Sequence, residues 1–295
     1  MNMNKLIIVM LSAALLLAAC GKAESRQHDG QQATPAGSHA DDSQKAEGGH
    51  DMEHGEHKES GIGEQSANIE VDWRFSPEQP QASTNAVVSL KVMDGQGKPI
   101  QSFDLNHEKK MHLIMVSKDL SYFDHIHPEY KGDGQFEVET SFPAGGDYKL
   151  VADFIPTGQS AATITTWVKV QGKAFPQAAI TPDSKLEKTV DGYTAVLSAD
   201  SLKAGSESML TFRISDAASA KPVDDLEPYL GAVGHVVIMS EDTEQYFHVH
   251  PMNESSTGPA AQFMTTFPKA GVYKIWGQFQ HQGKVFVVPF VVKVS

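Results

Sequence analysis

The 295-residue sequence predicts an all-β protein made of two tandem β-sandwich domains. Short apolar stretches recur between Gly, Pro, Asn and Asp turns at sandwich spacing, and no helical periodicity runs through them. A histidine pattern also occurs twice. His112-Leu-Ile-Met-Val, a polar turn and Phe-Asp-His125-Ile-His127-Pro128 return as His235-Val-Val-Ile-Met, a polar turn and Phe247-His248-Val-His250-Pro251, each histidine 123 positions on, as 235 follows 112. Finally, Lys98-Pro-Ile100 matches Lys221-Pro-Val223 at the same offset, and Phe142 to Tyr148 is answered by Phe267 to Tyr273 two residues later than that offset.

The elements follow in order. Residues 1–19 read as a signal peptide: Asn4 and Lys5 precede an apolar run too short to span a bilayer comfortably. The ending Leu17-Ala18-Ala19-Cys20 resembles the bacterial lipobox, which implies lipid attachment at Cys20 and anchoring on the extracytoplasmic face of the cell membrane. Cys20 is the single cysteine, so the folded part is expected to lack disulfides and thiolate metal ligands. Residues 20–66 are polar and acidic, with too little apolar surface to offset ordering entropy, and are expected to form a disordered tether. Within them His50, His54 and His57 are candidate weak metal ligands, or simply part of a solvated spacer.

Residues 67–172 form the expected first sandwich repeat, with strands at 68–75, 86–93, 135–142, 149–155 and 162–170 besides the histidine hairpin, about seven in all. Residues 173–186, with Pro176 and Pro182, read as a linker. Residues 187–295 repeat the plan, with strands at 193–197, 209–215 and 285–294 around the second hairpin. Apolar contact between the copies need not be large, since interfaces within one chain are often modest and polar, and the sequence leaves open whether the two hairpins face each other.

The histidines carry the functional reading. A turn centred on Asp119 and Leu120 sets His112 opposite His127, with His125 two positions along on the same face. A turn at the matching place sets His235 opposite His250, with His248 beside them. Directly opposed Cβ atoms lie about 4.5–5.5 Å apart, close enough for three imidazoles to share an ion. His112, His125 and His127, and His235, His248 and His250, are therefore candidate metal ligands. Imidazole suits copper and zinc, and the affinity order places Cu(II) above Zn(II). Met111 adjoins His112 and Met239 shares the second histidine face, so copper is favoured and zinc is the second choice. A structural reading competes with this. Ile114, Val116 and Phe123, and Val237, Met239 and Tyr246, share the histidine faces and suit a core, which would make the histidines core-edge groups bonded to carbonyls.

A family resemblance rests on these residues. Asp225-Leu-Glu-Pro-Tyr229-Leu-Gly-Ala-Val-Gly-His235, followed by Phe247-His-Val-His-Pro251, resembles a motif of YtkA-like exported bacterial proteins, and Met111 to Pro128 resembles another version of that module. The resemblance implies immunoglobulin-like (Ig-like) or cupredoxin-like sandwiches on a cell-surface lipoprotein. Phe267 to Tyr273 is also similar to the strand before the copper loop of cupredoxins, but no cysteine follows, which excludes a blue-copper centre. Where the first copy has Asn106-His107-Glu108 the second has Tyr229-Leu230-Gly231, so the copies are expected to differ.

The 24 Lys+Arg against 37 Asp+Glu give a formal charge of −13, which disfavours nucleic acid and suits cations. The sequence thus predicts a membrane-anchored, extracytoplasmic metal-binding lipoprotein that sequesters or relays an ion. The alternative is a non-metal interaction lipoprotein displaying paired domains to a protein partner in the envelope or to the cell wall. No enzyme is expected: there is no Ser-His-Asp or Cys-His arrangement, no Gly-rich phosphate loop and no glutamate placed by spacing as a general base.

Overall fold

A computed structural model describes residues 68–177 and 179–295. The expected signal peptide, Cys20, the 20–66 tether and His50, His54 and His57 lie outside the described residues. Among the described residues the regular structure is all strand, and no helix is long and apolar enough to cross a membrane.

The first repeat contains β1 (Ile69–Ser76), β2 (Asn85–Asp94), β3 (Phe103–Asp104), β4 (Met111–Ser117), β5 (Phe123–Ile126), β6 (Glu129–Gly132), β7 (Gln135–Ser141), β8 (Gly146–Pro156) and β9 (Ala162–Val170). The second contains β10 (Glu187–Val190), β11 (Tyr193–Ala199), β12 (Glu207–Asp216), β13 (His235–Ser240), β14 (Tyr246–Val249), β15 (Ala260–Thr266), β16 (Gly271–His281) and β17 (Lys284–Val294). The strands beyond the expected seven are short ones such as β3, β6 and β10, too brief to display alternation in the sequence.

Each repeat is a two-sheet sandwich. One sheet runs β1-β2-β7-β6, and its counterpart runs β10-β11-β12-β15. The other sheet carries the hairpin: β3-β8-β4-β5 with β9 also on β8, and β14-β13-β16-β17. Alternation fills the space between the sheets. Val88, Leu90 and Val92 of β2 meet Met111, Leu113 and Met115 of β4 in the first core, while Leu210, Phe212 and Ile214 meet Val236 and Ile238 in the second.

Turn chemistry fixes the hairpin register. The Asp119 carboxylate accepts the Ser121 backbone N–H at 3.1 Å, and Leu120 takes the left-handed conformation at φ 54°. Asp242 accepts the Glu244 N–H at 3.0 Å, with Thr243 at φ 61°. Leu113 therefore pairs with Ile126 and Ile114 with His125, while Val236 pairs with Val249 and Val237 with His248. This is the register expected from the sequence.

Every residue of β4 and of β13 is buried, although strands of a two-layer sandwich ordinarily expose one face. The reason is that the hairpin sheets of the two repeats cover each other. Ile114, Val116, Leu120 and Val151 from the first repeat pack with Val237, Met239, Tyr246 and Trp276 from the second. Whether the two hairpins face each other, left open by the sequence, is answered here: they do, and the seam has its own apolar cluster. The repeats also exchange lysines. Lys149 Nζ donates to the Thr243 carbonyl, and Lys274 Nζ donates to the Leu120 carbonyl, its pseudo-twofold counterpart. Between β9 and β10, Ile180 packs against this seam, and Asp183 is bonded to Val291 through both its backbone N–H and its carboxylate.

Candidate metal centre

The face of β4 that carries Ile114 and Val116 into the seam also carries His112, because residues two apart on a strand point the same way. Cross-strand pairing brings His125 and His127 beside it. One ring nitrogen each from His112, His125 and His127 lies within 4.8 Å of the others, and the same holds for His235, His248 and His250. Ring centroids in the first triad are 4.8–5.1 Å apart. In the second they are 4.9–5.8 Å apart.

The two triads also adjoin. His112 and His248 have ring centroids 4.8 Å apart, and His125 and His248 5.3 Å. His107, which the sequence did not flag as a ligand, joins the second triad from the first repeat. Its ring centroid lies 3.9 Å from that of His250 and 5.0 Å from that of His235. His107 adopts φ 46°, matching Leu230 at φ 54° in the corresponding loop of the second repeat.

Outward-facing nitrogens fix the tautomers. His112 Nε2 lies 2.9 Å from the Asn106 carbonyl and His235 Nε2 lies 3.1 Å from the Tyr229 carbonyl, so both donate there and turn a bare Nδ1 inward. The outer contact of His248 crosses the seam: its Nδ1–H donates to the Asp153 carboxylate at 3.1 Å, leaving Nε2 as a lone pair. His235 Nδ1 and His248 Nε2 are both buried without a hydrogen-bond partner, as is His127 Nε2. His125 Nδ1 crosses in the opposite sense, meeting Gln278 Oε1 at 3.1 Å. If that nitrogen donates, His125 Nε2 and His112 Nδ1 become two lone pairs facing each other at 2.9 Å, an arrangement that calls for a cation between them. Tetrahedral ligation with zinc–nitrogen bonds of about 2.0–2.1 Å puts ligand nitrogens about 3.3–3.4 Å apart, so this pair would open by about 0.4–0.5 Å around an ion. If instead the Gln278 amide turns over, its N–H donates to His125 Nδ1 and His125 Nε2–H donates to His112, which satisfies the pair with no ion.

Burial, and then mutual repulsion, keeps these imidazoles neutral. His112 is lowered to about 4, with Asn106 opposing the shift. His127 and His235 are each lowered to about 3. His125 and His248 are held well below their ordinary value by the same burial and by neighbouring histidines. Neutral imidazole is the form that ligates metal.

Three methionines near the histidines in sequence are built into apolar clusters. Met111 and Met115 point into the core of the first repeat, on the face opposite His112, and Met239 is built into the apolar seam. Asp153 and Gln278 were not legible as site residues, because they lie 95 and 153 positions from the histidines they contact. The offset that relates Phe142 to Phe267 relates them too, and that was the available signal.

Residues 65–172 and 188–295 each match the model of one family, described as Domain of unknown function (DUF8832). No curated protein matches the chain in sequence. Among solved structures, the chain is similar to the Escherichia coli adhesin FdeC at 17% identity and TM-score 0.27, over 76% of this chain and 64% of that one. A two-domain fibronectin type-III segment of chicken tenascin aligns at 13% identity and TM-score 0.22, over 77% of this chain and 99% of that one. Yersinia pseudotuberculosis InvD aligns at 13% identity and TM-score 0.25, over 76% of this chain and 57% of that one. Scores this low carry no functional argument.

Proposed function

The chain belongs to the DUF8832 family, with two copies of its domain, and we propose that it is an extracytoplasmic metal-binding protein, lipid-anchored at Cys20, that sequesters or relays an ion through the two three-histidine groups at its inter-repeat seam. One observation carries the reading: the ring nitrogens of each triad converge while the opposite nitrogens of His112, His125, His235 and His248 are tied to Asn106, Gln278, Tyr229 and Asp153. A metal-ligating histidine usually donates its other N–H to a carbonyl or carboxylate, which sets both tautomer and ring orientation.

All-imidazole ligation favours Cu(II), with Zn(II) second. Met111 is turned away from His112 and offers no thioether to the first triad. Asp153 adds a geometric reason: 1% exposed, it holds His248 Nδ1 at 3.1 Å and so turns His248 Nε2 toward the triad. The protein is read as a carrier rather than a catalyst, since Asp153, the carboxylate at the centre, is engaged by His248.

The test is metal analysis of the full chain after dialysis against a weak chelator. Two ions per chain are expected. His127→Ala/His250→Ala should retain only what the 50–57 tract holds, and an unchanged metal content in that variant would overturn the proposal. The paired sandwiches would then stand as an interaction scaffold.

A further inference from the structure

We infer that the two triads are unequal members of one paired centre, in which the second triad (His235, His248, His250) fills first because Asp153 reaches across from the first repeat to hold His248, whereas the first triad receives the neutral Gln278 in the matching place. This rests on the metal-binding reading above and adds an order of loading and two positioning residues.

Asp153 of β8 and Gln278 of β16 occupy equivalent strand positions: Asp153 is opposite His112 in the β4–β8 ladder, and Gln278 is opposite His235 in the β13–β16 ladder. Each crosses the seam to the first histidine of the other repeat's His-x-His pair, at 3.1 Å in both cases. Both are 1% exposed, so each contact is shielded from water.

Their chemistry differs. A carboxylate only accepts, so Asp153 leaves His248 a single tautomer, with Nε2 bare and aimed inward. Its negative charge also makes the imidazole a stronger donor to an ion and offsets part of the ion's charge in a dry site. An amide both donates and accepts. Gln278 allows His125 a tautomer in which Nε2–H bonds to His112 Nδ1 and closes the first triad to an ion. When the Gln278 amide has turned over into that arrangement, loading the first triad costs a tautomer change and an amide turn back, neither of which the second triad needs.

The experiment is a chelator-competition titration of metal-stripped full-length protein with Zn(II), repeated with Cu(II). Wild type should show two resolved affinities. His250→Ala should abolish the tighter step and His127→Ala the weaker one. Asp153→Asn, which keeps an acceptor and removes the charge, should weaken the tighter step about 10–100-fold and leave the weaker one within about twofold. Gln278→Glu should tighten the weaker step by about tenfold or more, a gain that a merely structural residue would not produce. Two equal steps, loss of the weaker step in His250→Ala, or unchanged constants in both Asp153→Asn and Gln278→Glu would overturn the inference while leaving metal binding intact. Binding no stronger than that of His127→Ala/His250→Ala would overturn the metal reading itself, and the inference with it.

Discussion

Phe123 and Trp276, from different repeats, stack with ring centroids 4.7 Å apart and planes 15° from parallel. Trp276 is 3% exposed, so nearly all of its surface is spent on the seam. Replacing a buried tryptophan by alanine costs about 3–5 kcal/mol. Trp276→Ala should accordingly lower the thermal midpoint and split one calorimetric transition into two, as the repeats lose their shared layer. One transition at the wild-type temperature would contradict the seam as described.

The same tryptophan reports on the site, because Gln278 lies two residues along β16 on the same face. Cu(II) binding should quench its fluorescence and Zn(II) should not. Trp276→Phe should abolish the copper-dependent part of the quench, leaving the signal of Trp73 and Trp167, the other two of three tryptophans.

Gly234 precedes His235 where two backbones approach closely. A Cβ there would lie 2.6 Å from the Gln278 carbonyl oxygen and 2.6 Å from the Phe279 ring. Gly234→Ala should push β13 from β16, cost about 1–3 kcal/mol and weaken metal binding at the second triad more than at the first. Urea unfolding and the two-step zinc titration measure both effects.

Acid should destabilise the metal-stripped protein. An unfolded histidine takes its proton near the ordinary value of 6.5, whereas His112 takes one only near 4 and His127 and His235 near 3. Between those limits the unfolded chain binds more protons, so this contribution to stability is complete above 6.5 and is lost progressively toward pH 4 and below. Denaturant midpoints at about pH 7 and about pH 5 should show the fall, and replacing His127 and His235 by Gln should flatten it.

The hairpins were legible in the sequence because their register is a local matter. Asp119 and Asp242 fix the turns, and period-two alternation then carries His112 onto the face of His125 and His127. The all-β class followed from the same alternation. The seam was not legible. Ile114, Val116 and Phe123 read as core, and core they are, but periodicity cannot say whether an apolar face closes on its own domain or on a duplicate. The choice is settled by shape across the two repeats, as when Lys149 and Lys274 reach each other's turns. Asp153, Gln278 and His107 entered the site only through that packing, since none shares a strand with the histidine it contacts.

The most direct measurement is anomalous diffraction from crystals of the full chain soaked in Cu(II), with a Zn(II) soak alongside. The account predicts two peaks at the seam, one within about 2.0–2.3 Å of ring nitrogens of His112, His125 and His127 and the other equally close to those of His235, His248 and His250. Peaks confined to surface carboxylates, with the six rings engaged only by protein carbonyls and by one another, would contradict it.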